Sequence, residues 1–193
     1  MIMKYVLIAG VNGAGKSTLY QSIDSLKNMP RVNLDEIVRE FGDWRKASDV
    51  MKAGKIAVNK IKEYFDKRVT FNQETTLCGN SIERNIKLAK ELGYFIELHY
   101  IGVESIEVAK KRIAYRVKNG GHNIPDADIE RRYYESLFKL SSIIHLCDLA
   151  VFYDNSEMIN RFAIYEEGIM KIVSDEEPIW FIDWKNGKYK NKP

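Results

Sequence analysis

The stretch "GVNGAGKS", residues 10–17, satisfies the pattern G-x-x-x-x-G-K-[ST] at every fixed position. Its composition follows from its chemistry. Backbone N–H groups that converge on phosphate oxygens need a loop with little side-chain bulk, and Gly10, Gly13 and Gly15 supply it. A helix opened by this loop turns the positive end of its dipole toward the anion. The motif assigns ATP contacts to Gly10, Asn12, Gly13, Ala14, Gly15, Lys16, Ser17 and Thr18. Within it, Lys16 reaches the β- and γ-phosphates and the Ser17 hydroxyl takes Mg²⁺.

The flanking sequence fits. "KYVLIAG" is a continuous apolar run ending at glycine, which predicts a strand buried on both faces of a parallel sheet. "GKSTLYQSIDSLKN" predicts one helix, with Leu19, Ile23 and Leu26 on one face and Pro30 ending it. "RVNLD" is a brief second strand. Residues 36–68 read as mostly helical, with breaks near Gly42 and Gly54. "VTFNQETTL", "YFIELHYIGV" and "DLAVFYDNS" are further strands. The helices between them are "IERNIKLAKEL", "IEVAKKRIAYRVKN" and "DADIERRYYESLFKLSSIIH". The alternation predicts one α/β/α domain over residues 1–193, with a central parallel sheet of about five strands. Residues 160–184, "RFAIYEEG", "IMKIVSDE" and "PIWFIDW", predict a small antiparallel appendage of short strands.

The 193 residues are 45% hydrophobic and 30% charged, a globular composition. The net charge of +3 is spread among interleaved acids and bases, which argues against nucleic-acid binding. The local excess is the tail "WKNGKYKNKP", read as a solvated end. Cys78 and Cys147 have no CxxC spacing, so a reducing, cytoplasmic setting is expected, with Cys78 an ordinary thiol. No apolar run reaches membrane-spanning length, and "MIMKYVLIAG" is too short for a secretory signal.

The remaining residues point to a small acceptor for the phosphoryl group. No apolar strand ends in a well-placed Walker B aspartate. Asp35, after "RVNL", instead faces the crevice shared by the strand ends, where a carboxylate can take the proton of an attacking hydroxyl. The same residue could equally cap the helix that follows. Glu74 and Thr76, two apart at the end of a strand, point to one side and suit a sugar or other polyol. Residues 112–132 read as a lid. Arg112 and Arg116 share a helix face, Gly120, Gly121 and Pro125 bound a loop, and Arg131 and Arg132 follow. Such arginines close over phosphates, carry transition-state charge and exclude water. His122 reads as a packing or capping residue, and Trp44 as packing that could border the cleft. The alternative is a nucleotide-dependent switch without a small-molecule acceptor, against which the lid and the missing Walker B aspartate both count.

"AGVNGAGKST", "NLDEI", "ETTLCG", "RIAYRVKNGGHNIPDADIERRYYESL" and "YDNS" together resemble the zeta-toxin branch of P-loop small-molecule kinases, over roughly residues 3–156. That resemblance implies an adenylate- and shikimate-kinase-like fold. It implies transfer from ATP, with Mg²⁺, to UDP-N-acetylglucosamine. It makes Asp35 the general base and Lys16 the phosphate ligand, and it puts Glu74 and Thr76 against the sugar nucleotide. Arg112 or Arg116 becomes a transition-state arginine, and Arg132 or Arg131 has to serve as the second. Toxins of this family are longer and bind an antitoxin through added helices. This chain starts just before its first strand, so these residues do not support an antitoxin partner.

Overall fold

β1 (Lys4–Ala9) is buried along nearly its whole length because it pairs on both edges, with β3 (Phe71–Thr75) and β4 (Phe95–Gly102), both parallel to it. The computed structural model describes residues 2–190. β2 (Arg31–Val32) and β5 (Leu149–Asp154) complete a parallel core. β6 (Asn160–Glu166) and β7 (Ile169–Ile172) then add an antiparallel hairpin on the β5 edge. The order is β2-β3-β1-β4-β5-β6-β7. The sheet therefore has seven strands where about five were expected, because the antiparallel hairpin expected on the sheet edge hydrogen-bonds to β5 and extends the sheet. β1 is the topological switch point, and the loop after it opens into the crevice at the strand carboxyl ends.

Side chains from several helices seal both faces. Phe65 of α4 (Ala47–Asp66) packs edge-on against Tyr5, and Tyr100 bonds Ser136 of α7 (Asp126–Ile143) at 3.0 Å on that same face. On the opposite face the buried Asn72 donates to the Leu26 carbonyl at 2.9 Å. α5 (Ser81–Glu91) and α6 (Ile106–Lys118) fill the remaining crossovers.

Four local expectations fail for identifiable reasons. The first helix is two, α1 (Lys16–Ser22) and α2 (Asp24–Lys27), separated by an extended Ile23, although Leu19 and Leu26 are still buried. The long helical region does break at Gly42, between α3 (Leu34–Phe41) and α4, but Gly54 lies unbroken inside α4. A mid-helix glycine costs about 1 kcal/mol, which a 20-residue helix packed against the sheet absorbs. "PIWFIDW" is a helix, α8 (Ile179–Lys185), not a strand, and buries Trp180, Phe181 and Trp184 at helical spacing. The tail is not a solvated end over its described part, since Trp184 and Tyr189 are buried; residues 191–193 of that tail lie outside the described residues.

α8 bears on the site from a distance. A Cβ on Gly102 would stand 2.3 Å from the Trp180 ring, so glycine there lets the indole lie on the end of β4. Trp180 Nε1 donates to Asp154 Oδ1 at 2.7 Å, and Asp154 Oδ2 accepts from the Ser156 amide at 2.9 Å. The turn after β5 is thereby fixed beside the glycine loop. No helix among the described residues is long and apolar enough to cross a membrane.

Candidate active site

The glycine loop is tight for steric reasons. A Cβ on Gly10 would fall 2.2 Å from the Ile101 carbonyl oxygen, and one on Gly13 would fall 2.8 Å from that of Ala109. Both glycines also have positive φ. Asn155, in the turn fixed by Trp180, donates from Nδ2 to the Ala14 carbonyl at 2.8 Å and ties the loop to β5. The Lys16 ammonium is nearly buried and bonds the Val11 carbonyl at 3.1 Å. Burial holds its pKa below the usual lysine range, while Glu74 and Asp35 pull it back up.

A cleft of about 910 Å³ opens above the loop. It brings together Asn12, Gly13, Gly15, Lys16, Ser17 and Thr18 with Asp35, Glu74, Thr76, Arg112, Arg116 and Arg132. Of the residues singled out from sequence, Gly10 and Ala14 do not line it; they shape the loop from behind.

Asp35 is not the end of a strand. β2 stops at Val32, and Asp35 lies in the first turn of α3. Nor is it the cap. Asn33 Oδ1 accepts from the amides of Asp35 at 2.8 Å and Glu36 at 3.4 Å, which leaves the Asp35 carboxylate free to face the cleft. The Asn-x-x-Glu spacing of residues 33–36 is the sequence signal for this capping.

Thr76 lies past the end of β3, so strand alternation does not set its direction. Glu74 faces the glycine loop. Its Oε2 accepts from Arg31 Nη2 at 2.5 Å and from Asn33 Nδ2 at 2.9 Å, and Ser17 Oγ donates at 3.2 Å. Arg31 also pairs with Glu36 at 2.9 Å and lies over the Tyr20 ring at 3.5 Å. Arg31 and Asn155 escaped sequence reading, because nothing local to "PRVN" or "DNS" shows which distant element each will meet.

The lid arginines differ in environment. Arg112 Nη2 donates to the Ser156 carbonyl at 3.1 Å, and its Nη1 is buried without a partner. Arg116 Nη2 bonds the His122 carbonyl at 3.0 Å, and its Nε is likewise buried and unpaired. Burial lowers the Arg116 pKa, opposed by Asp35 and Glu74. Arg132 Nη1 donates to Asn12 Oδ1 at 3.0 Å, joining α7 to the glycine loop. Arg131 is half-exposed and already held by Asp128 and Glu135, each at 2.8 Å. Cys78 lines the cleft, and burial pushes its thiol pKa up, which disfavours the thiolate.

Orphaned donors buried on two arginines, beside a nearly buried lysine and a glycine cradle, fit a polyanion. Among the described residues no cluster of three or more His, Cys, Asp or Glu could hold a metal by itself. Mg²⁺ keeps waters and binds through one or two protein groups plus phosphates, and the Ser17 hydroxyl, with Glu74 behind it, could serve as one.

Known proteins agree with this architecture. A structure of AvrRxo1-ORF1 with AvrRxo1-ORF2 and sulphate ions superposes with a TM-score of 0.72 over 99% of this chain at 12% identity. This chain spans 64% of the length of that one. A structure of the PezAT chromosomal toxin-antitoxin system of Streptococcus pneumoniae gives a TM-score of 0.59 over 82% of this chain and 70% of that one, at 16% identity. At these identities the likeness concerns the fold alone. An uncharacterised protein of Haemophilus influenzae is 34% identical over 130 residues, 67% of this chain and 92% of its own length. The family model described as Zeta toxin matches residues 3–167, so the chain belongs to the zeta toxin family.

Proposed function

We propose that this protein is an ATP-dependent kinase that transfers the γ-phosphoryl group to a hydroxyl of a small, sugar-containing metabolite such as UDP-N-acetylglucosamine. The observation that carries the reading is one cleft lined by a glycine cradle with Lys16, a free carboxylate at Asp35, and two arginines with buried, unpaired N–H groups. Family membership and the P-loop kinase fold support it.

The residues divide the work between donor and acceptor. Lys16 exchanges the Val11 carbonyl for phosphate oxygens. Ser17, backed by Glu74, holds Mg²⁺, which when bound neutralises charge on the triphosphate. Asp35 accepts the hydroxyl proton as the acceptor oxygen bonds to phosphorus and the bond to the departing ADP breaks. Arg112 and Arg116 carry the charge that develops on the transferred group. Arg132 holds the lid on the loop through Asn12. Thr76 and the acceptor-side wall meet the sugar. Residues 112–132 act as the lid of a single kinase domain working in the cytoplasm. The likeness to a toxin-antitoxin structure supports an antitoxin partner, which would be revealed by growth arrest when the chain is expressed alone.

Incubation with ATP, Mg²⁺ and a panel of sugar nucleotides, read by mass spectrometry, tests the reading. One acceptor should gain a phosphate mass, and Asp35→Asn should bind ATP yet lose transfer by about 100-fold or more. Full activity in Asp35→Asn would remove it as the base. No mass gain on any acceptor, with ADP released only on adding a protein or nucleic acid, would replace the kinase reading with a switch.

A further inference from the structure

His122 lies face to face on Trp44, with ring centroids 4.3 Å apart and 12° between the planes. The two residues come from different walls of the cleft. Trp44 sits in the connection between α3 and α4, and His122 in the connection between α6 and α7. Arg116 reaches the same histidine twice, from Nη2 to the carbonyl at 3.0 Å and to Nε2 at 3.3 Å. A guanidinium only donates, so the imidazole Nε2 must accept and the ring proton sits on Nδ1. Gly121 makes the fold-back possible, since a Cβ there would stand 2.5 Å from Arg116 Cγ. The Gly121 amide completes the turn by donating to the Arg116 carbonyl at 2.9 Å.

We propose that His122 and Trp44 are positioning residues for Arg116: their stack pins the lid loop to the connection between α3 and α4 and holds the guanidinium in place, with its Nε free for a phosphoryl oxygen. This rests on the kinase reading for what Arg116 does, but not for the stack itself. Free of the stack, the loop after Gly120 and Gly121 would let Arg116 swing, and a displacement of about 1 Å at a catalytic group costs up to about 100-fold in rate. The acceptor role of Nε2 also requires a neutral ring. Burial favours that form, and Arg116 of α6, Arg39 of α3 and Arg132 of α7 push the same way, while Asp35 of α3 opposes them. The His122 pKa is therefore lowered, and the latch opens only in acid, below the ordinary histidine range.

The full chain can be tested by two independent readouts. The first is histidine ring NMR. The chain has three histidines, so the His122 signals are those missing from His122→Gln. In Trp44→Leu these signals should move downfield as the indole ring current is lost. The second is ADP release from Mg·ATP in the presence of the sugar-nucleotide panel, with binding of a fluorescent ATP analogue measured in parallel. His122→Ala and Trp44→Leu should each lower kcat by about tenfold with KM for ATP within about twofold, while His122→Gln, which keeps an acceptor for Arg116 but loses the stack, recovers only part of the rate. The wild-type kcat should fall in acid as His122 protonates, and in His122→Gln the part of that fall due to the histidine should be missing. Unmoved His122 signals in Trp44→Leu would overturn the stack. Wild-type kcat in both His122→Ala and Trp44→Leu would overturn positioning. If the wild type releases no ADP, the kinase reading fails, and the ring signals alone decide whether the latch exists.

Discussion

Glu74 ties Ser17 of the glycine loop to Asn33 and Arg31 on the adjoining wall of the cleft, and its replacement gives a graded prediction. The Glu74 and Arg31 side chains are only 11% and 8% exposed, so their ion pair is largely desolvated. Arg31 and Asn33 both donate to Oε2, and Ser17 contacts both carboxylate oxygens, at 3.2 and 3.3 Å. Glu74→Gln can keep its amide oxygen in the Oε2 place and turn its NH₂ toward the Ser17 hydroxyl, which can accept. It then loses charge but not hydrogen-bond count, at a cost of about 1–2 kcal/mol. Glu74→Leu strands Asn33 and leaves Arg31 with Glu36 and the Tyr20 ring. Breaking a buried pair costs about 3–5 kcal/mol, and the surviving partners place this case near the lower end, about 3 kcal/mol. Urea unfolding followed by far-UV circular dichroism measures both, and a cycle with Arg31→Met should show a coupling of at least about 1 kcal/mol. If Glu74→Leu costs no more than Glu74→Gln, or the coupling vanishes, the carboxylate does not organise this wall.

Three further outcomes follow from the geometry. Glu97 is raised by burial, but hydrogen bonds from His99 and Lys4 at 2.9 and 2.8 Å outweigh this and hold it at about 2, against 4.5 ordinarily. A depressed carboxylate contributes stability above its unfolded pKa and loses it as pH falls toward the folded one. Wild type should therefore outlast Glu97→Gln at pH 6, by about 1–2 kcal/mol once solvent screening of the exposed Lys4 partner is allowed for, a gap closing between about pH 4.5 and 2 in denaturant titrations; parallel stability curves would refute the network. Gly13→Val meets the Ala109 carbonyl and needs a positive φ, so binding of a fluorescent ATP analogue should weaken by at least about tenfold. Asn155→Ala removes the 2.8 Å bond to Ala14, and thermal unfolding should register a loss of about 1 kcal/mol with weaker ATP binding; unchanged binding would show that the loop holds its shape without this tie.

Local pattern carried far. The run "KYVLIA" is apolar throughout because β1 is paired on both edges and covered on both faces, and the glycine loop after it admits few backbone courses. From these two features came the parallel core, the phosphate cradle and the side of the sheet on which chemistry occurs. Helical and strand periods placed the crossovers, but the aromatic run "PIWFIDW" satisfied both periods. Only the cavity beside Gly102 and Phe152 selected the helix, by burying Trp180, Phe181 and Trp184 together.

The sequence by itself picked out a phosphate-loop motif and the set Lys16, Ser17, Asp35, Arg112, Arg116 and Arg132, which the fold gathers in one cleft, because each lies in or beside a motif whose spacing has a physical cause. Tertiary structure alone decided what those residues touch. Asn33, not Asp35, caps α3; Glu74 turns to Ser17 and Arg31; Arg131 is spent on Asp128 and Glu135 while Arg116 is held by a histidine stacked on Trp44. These contacts join residues tens of positions apart. Their energies depend on burial and on which strand ends share the crevice, and neither quantity is written in any local stretch of the chain.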